Sequence, residues 1–278
     1  MFRISSGTVG EARVRMLRIV RRGDRHDPHD LTVAVRLEGD FAGAFTAGEP
    51  DVLVPGETVR NVVHAAAREH ATGEIEPFGL ALCDRLLATT PRASRVRVEI
   101  SDQPWARLEV GGKAQGQAFL AASGERRTAA VTSNGRQAAV VSGIDQLTIM
   151  RSSGFAPPRR TRDPEGADDG LQPLLVATLG ARWTYTSVDV TFGPYRQGVR
   201  TAIVETLGCH ARLSVPHTLH AIADVVLASY QEIAEITLSV QERPCRPVDL
   251  FSAGIENQDD LFVVRDEPVG VVEITVER

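Results

Sequence analysis

Ser94-Arg95-Val96-Arg97-Val98-Glu99 and Ala234-Glu235-Ile236-Thr237-Leu238-Ser239 stand at corresponding places in the two halves of one chain. In both, polar and apolar side chains alternate with the period of two that a half-buried strand requires. Two helical stretches precede each: Glu57 to about Glu69 and Ile75–Thr89 in the first half, Tyr195–Cys209 and His217–Tyr230 in the second. Phe78, Leu80, Leu82, Leu86 and Leu87 offer one of these helices a buried stripe. Further out, Arg13–Val20 and Leu31–Gly39 form a hairpin around a polar turn from Arg22 to Asp30. Leu147–Met150 and Ala181–Tyr185 flank a Pro/Arg/Asp-rich loop from Ala156 to Pro173. Trp105–Val110 closes the first half before Gly111-Gly112, and Val269–Val276 closes the second. Each half therefore runs strand, strand, helix, helix, strand, strand. That order predicts an α+β fold, a duplicated unit with antiparallel sheet on one side and paired helices on the other, divided as 1–140 and 141–278. A doubly wound parallel sheet needs strand and helix to alternate singly, and they do not.

The 278 residues suit two domains at about 150 residues each. With 42% hydrophobic and 24% charged residues, disordered and collagen-like chains are excluded. No apolar run reaches the roughly 20 residues of a membrane helix, and Met1-Phe2-Arg3 does not open a signal peptide. Cys83, Cys209 and Cys245 are odd in number and lack CxxC spacing, which points to a reducing cytoplasm. The net charge of -5 is spread among interspersed residues, arguing against nucleic acid or an anionic membrane as main partner. Lys113 is the only lysine among 31 basic residues. A mechanism needing a neutral amine thus has one side-chain candidate, since arginine stays protonated, and Gly111-Gly112-Lys113 reads as a solvated turn. A sheet covered by helices on one face leaves the other bare, so subunits are expected to assemble into an oligomeric barrel that removes the sheet edges.

Over nearly its whole length the sequence resembles the urate oxidases (uricases), built from two tandem tunnelling-fold modules. The likeness rests on Val14-Arg15-Met16-Leu17-Arg18-Ile19-Val20, Leu37-Glu38-Gly39-Asp40-Phe41, Ala66-Ala67-Arg68-Glu69-His70 and Gly73-Glu74-Ile75-Glu76-Pro77-Phe78-Gly79-Leu80. It continues through Gln103-Pro104-Trp105, Ala181-Arg182-Trp183, Ser214-Val215-Pro216-His217-Thr218-Leu219 and Gly254-Ile255-Glu256-Asn257. The resemblance implies a cofactor-free oxidase working on urate at a subunit interface, in a homotetramer.

At the family's site residues the sequence departs. The family's Tyr-Gly-Lys is Val9-Gly10-Glu11 here, which puts Glu11 at the lysine. Its Pro-Thr-Asp-Thr, supplied by a neighbouring subunit, becomes Pro55-Gly56-Glu57-Thr58, so Gly56 replaces the threonine and Glu57 keeps the acid. Its Asn-Lys-His becomes Glu242-Arg243-Pro244, and its Val-Gln becomes Val215-Pro216. Gln172 or Pro173 stands near the clamping arginine, and only the stacking aromatic is kept, as Phe155. Pro216 offers neither side-chain donor nor backbone N–H, and no tuned lysine remains to take a proton. Urate oxidation is therefore not expected.

Two readings follow. In one, the chain is a diverged enzyme acting without metal or organic cofactor on a purine-like or other planar nitrogen heterocycle. Glu11, Glu242 and Glu57 would serve as acid, base or recognition groups, and Phe155, Gly56, Val215, Pro216 and Gln172 would line the ring. In the other, it is a non-catalytic subunit that joins a uricase-like companion or only binds ligand. Glu11 and Glu242 can also be ordinary ion pairs with Arg13 and Arg243, and Phe155 a core aromatic. Cys209-His210, His217, His220 and Cys245 fit no metal-ligand spacing. His26 and His29, in the hairpin turn, are expected to face solvent. The run Pro157–Asp163 could meet an acidic partner, but reads more simply as a solvated loop.

Overall fold

A computed structural model describes residues 4, 7–122, 124–152, 174–209, 214–243, 245–258, 260–264 and 270–278. The elements run β1 (Thr8–Arg22), β2 (Arg25–Gly39), α1 (Ala42–Thr46), α2 (Gly56–His70), α3 (Ile75–Thr89), β3 (Ala93–Gln103), β4 (Trp105–Val110), β5 (Lys113–Ala121), β6 (Arg126–Ser133) and β7 (Ala138–Arg151). They continue with β8 (Leu175–Tyr185), α4 (Phe192–Cys209), α5 (Val215–Ser229), β9 (Ile233–Arg243), β10 (Cys245–Pro247), β11 (Phe262–Val264) and β12 (Gly270–Glu277). The chain divides into two compact units, Met1–Gly143 with Thr184–Pro194, and Ile144–Trp183 with Tyr195–Arg278.

In the first unit the strand order is β1-β2-β3-β6-β7, with antiparallel pairing of β1 to β2, β2 to β3 and β3 to β6. Alternate residues of these strands, Leu31, Val33, Val35 and Leu37 with Val96, Val98 and Ile100, and Ala129 with Val131, turn to one face and are buried. Helices α2 and α3 cover that face with Val59, Val63 and Ala66 from one and Phe78, Leu82 and Leu86 from the other. Of the anticipated α3 stripe, Leu80 and Leu87 are only half-buried, while Gly79 and Cys83 take core places. Gly79 is there because of close approach: a Cβ would lie 2.7 Å from Val131 Cγ2.

In the second unit the order is β7-β8-β9-β12, and β9 pairs antiparallel with β12 from Glu242↔Gly270 to Glu235↔Glu277. The β8 residues Ala177, Leu179, Ala181 and Trp183 and the β9 residues Ile236, Leu238 and Val240 form its buried face. Leu219, Ile222 and Val226 of α5 are buried as well. Each unit thus contains antiparallel sheet and a pair of long helices.

Several local expectations change. Trp105–Val110, expected to close the first half, pairs with β5 in a separate two-stranded sheet and is followed by β5, β6 and β7. The polar run 25–30 belongs to β2 rather than to a turn, because its charges are matched: Arg107 donates to Asp27 at 2.6 Å and Arg15 to both oxygens of Asp30 at 3.0 Å. His29 is accordingly buried, with Nδ1 3.5 Å from Asp102 Oδ2, and does not face solvent. The four-residue strand expected at 147–150 is the end of the much longer β7. Among the described residues, no helix is long and apolar enough to cross a membrane.

Candidate functional site

Glu11 is placed by a bulge. In the β1–β2 ladder Glu11 pairs with Val35, but the next pair is Val14 with Val33, so β1 spends one extra residue. Residues three apart on a regular strand face opposite ways; here the bulge returns Glu11 to the same side as Val14, facing the helices. Gly10, just before it, admits the β2 backbone closely, since a Cβ would stand 2.0 Å from the Val35 carbonyl oxygen.

On that side Glu11 meets the start of α2. A Cβ at Gly56 would lie 2.1 Å from Glu11 Oε1, so the missing side chain at 56 is what makes room for the carboxylate. One turn along α2, on the same helix face, Arg60 donates through NH1 to Glu11 Oε1 at 2.7 Å. The cation paired with Glu11 is therefore Arg60, not Arg13, which the bulge leaves on the opposite side of β1. Glu11 and Gly56 sit together within one chain. Glu57, next along, is exposed in the first turn of α2, where its charge favours the helix N-terminus.

Glu242 lies near the end of β9, half-buried, and burial pushes its carboxyl above the usual 4.5. Across the ladder stands Gly270, which presents no side chain to it. Among the described residues no hydrogen bond or ion pair reaches the Glu242 carboxylate. Val215, half-buried, and Pro216, exposed, open α5. Proline suits that first turn, where an N–H would have no helical acceptor. Glu11, Gly56 and Glu57 belong to the first unit, and Val215, Pro216 and Glu242 to the second. Phe155, Gln172, Pro173 and Pro244 lie outside the described residues.

The first unit also holds a buried polar network that no motif announced. Ser142 donates to Glu76 Oε1, while Glu76 Oε2 is buried without a partner. Burial above all raises the Glu76 carboxyl from 4.5, against the hydrogen bond from Ser142, which lowers it. Nearby, Arg127 donates to Asp102 at 2.6 Å and to Glu74 at 3.2 Å. Burial works against the Arg127 charge, but Asp102 and the neighbouring glutamates outweigh it and raise its affinity for the proton. The only hint in the sequence was Glu74-Ile75-Glu76 at a helix start, which carries no chemistry by itself. Among the described residues no group of His, Cys, Asp and Glu side chains is placed to hold a metal ion.

The uricase family model matches residues 8–132 and 140–273. A uricase of Arthrobacter globiformis is 30% identical over 274 residues, covering 97% of this chain and 88% of the relative. A uricase of Dictyostelium discoideum is 26% identical over 277 residues, covering 97% and 95%. The crystal structure of the Arthrobacter globiformis uricase superposes with a TM-score of 0.89 at 28% identity, over 100% of this chain and 96% of that one. With both units spanned by the match and the antiparallel sheet and paired helices in place, the chain belongs to the uricase family.

Proposed function

We propose that this chain acts without a cofactor on a planar nitrogen heterocycle other than urate, with Glu242 as the group that gives or takes the proton. The observation that carries the reading is the state of Glu242: half-buried, unpaired among the described residues and raised in proton affinity by burial alone. A carboxyl tuned upward in this way holds its proton more readily than a free one, which suits acid–base work. Membership in the uricase family supports a planar purine-like ligand. Against urate itself stand Glu11, a carboxylate where the family resemblance implies a lysine, and Pro216, which has no group to pair with a ring edge. A carboxylate at Glu242 favours a ring bearing amino or cationic groups. The protein works as a homotetramer, an assembly supported by the uncovered sheet face and the edge strands β1 and β12.

One observation favours a second reading, in which the chain binds ligand or a uricase-like companion without turnover. The Glu11 carboxylate is already engaged by Arg60, so it is not free to act on a substrate.

The test is to assay the purified chain for oxygen uptake and peroxide with urate, then to screen amino-substituted purines and related rings by absorbance change and by calorimetric binding. No peroxide from urate is expected. Turnover of a screened ring that Glu242→Gln abolishes while binding persists supports the enzyme. Binding with no turnover, unaltered by Glu242→Gln, supports the second reading. Peroxide release from urate overturns both.

A further inference from the structure

Arg13, beside the inward-facing Val14, lies on the opposite, helix-free face of the sheet, on the side of Arg15 two residues on. There the two arginines and Arg126 of β6 line a cavity of about 100 Å³. Thr32 and Ser101, directly opposite one another in the β2–β3 register, form its floor. That space is open to solvent on one side and has room for a small anion.

The charges inside it do not balance. Arg15 is engaged, donating to both oxygens of Asp30 at 3.0 Å, and this pair cancels the only carboxylate lining the cavity. Arg126 donates through Nε to Gln103 Oε1 at 2.9 Å, which orients the guanidinium, and among the described residues its terminal N–H groups have no acceptor. Among the described residues Arg13 has neither hydrogen bond nor ion pair, and the hydroxyls of Thr32 and Ser101 have no protein partner. Two uncompensated guanidinium groups and two spare hydroxyl donors thus converge on one space. Elsewhere on this face the acids are taken: Glu99 is paired with Arg97 at 2.8 Å, and Glu38 has Arg95 at 4.0 Å.

We infer that this cavity is a binding site for a tetrahedral oxyanion, phosphate or a phosphate monoester. Arg13 and Arg126 supply charge-assisted N–H donors, and Thr32 and Ser101 supply neutral O–H donors. A planar carboxylate would leave part of this donor set unused, and chloride could not satisfy its spread of directions. The site is separate from Glu11, Gly56 and Glu242, and it is read by binding without turnover, so it stands or falls independently of the proposed function.

The test is calorimetric titration of the full chain with inorganic phosphate and with methyl phosphate, against sodium chloride at matched ionic strength. Binding of either phosphate species above the chloride control is expected, and the two titrations distinguish the free ion from the ester. Arg13→Gln removes one charge-assisted bond, so affinity should fall about tenfold. Arg36→Gln, an exposed charge on the same face outside the cavity, should leave affinity within about twofold because salt screens the longer distance. Phosphate binding no stronger than chloride, or equal weakening by Arg13→Gln and Arg36→Gln, overturns the inference.

Discussion

At position 56 the absent side chain matters as much as any that is present. The Glu11 carboxylate fills the space where a Cβ on Gly56 would be, and Arg60 holds it there. In Gly56→Ala the carboxylate, being the far end of a flexible side chain, must swing off Arg60. The pair is partly exposed, with 46% of the Arg60 side chain open to solvent. The loss in unfolding free energy should therefore be small, about 0–1 kcal/mol in urea denaturation; a loss of several times that would mean that the Glu11–Arg60 pair is locked in place. Glu76 acts differently, because its carboxyl is raised rather than lowered by folding. Above 4.5 the unfolded chain releases this proton while the folded chain still binds it. Stability then falls as pH rises through the interval between the unfolded and folded values. Glu76→Gln removes that slope, so the unaltered chain should lose stability relative to the variant as pH climbs past 4.5. Parallel pH curves for the two proteins would show that Glu76 titrates normally.

Among the elements, α3 is held to the sheet by a contact that tolerates no added volume. Gly79 is packed against Val131 and Ile100, both stiff side chains on strands in mid-sheet, at 2.7 and 3.2 Å from where a Cβ would be. Gly79→Val should cost about 1–3 kcal/mol through overpacking, read by chemical denaturation. An unchanged midpoint would show that α3 can lift off without penalty. The β1–β2 hairpin shows how one extra residue sets chemistry at a distance. The bulge between Glu11 and Val14 reverses the facing of the residues before it, so Glu11 enters the helix layer although Arg13, two residues on, keeps to the open face. Alternation in Arg13–Val20 made the strand legible, but alternation cannot reveal where a strand slips by one. Alternation therefore points Glu11 toward Arg13 and gives no sign of Arg60. The polar residues 25–30 follow the same logic: composition marks them as loop, and the long-range partners Arg15, Asp102 and Arg107 make them strand.

For the molecule as a whole, among the described residues each unit ends in a strand with an unpaired side, β1 in the first and β12 in the second. Long exposed edges invite pairing with another chain, and on this basis the proposed assembly predicts a sedimenting species several times the monomer mass. A concentration-independent monomer would remove the tetramer from the proposal. The helix from Glu57 to about Glu69, the helix 75–89, the β3 core and the strand, strand, helix, helix, strand run of each half could be read from the sequence, because helical and strand periods are written locally in which side chains are apolar; β5 and β6 could not. The family, too, was legible, as matches in constant order along the chain. What only the tertiary structure decided was the facing and partnership of individual charges: Glu11 against Arg60, His29 against Asp102, Arg13 in a cavity on the open face, Glu242 across from a glycine and unpaired among the described residues. These depend on strand register and on distances between residues far apart in the chain, and neither quantity has a local signature in the sequence.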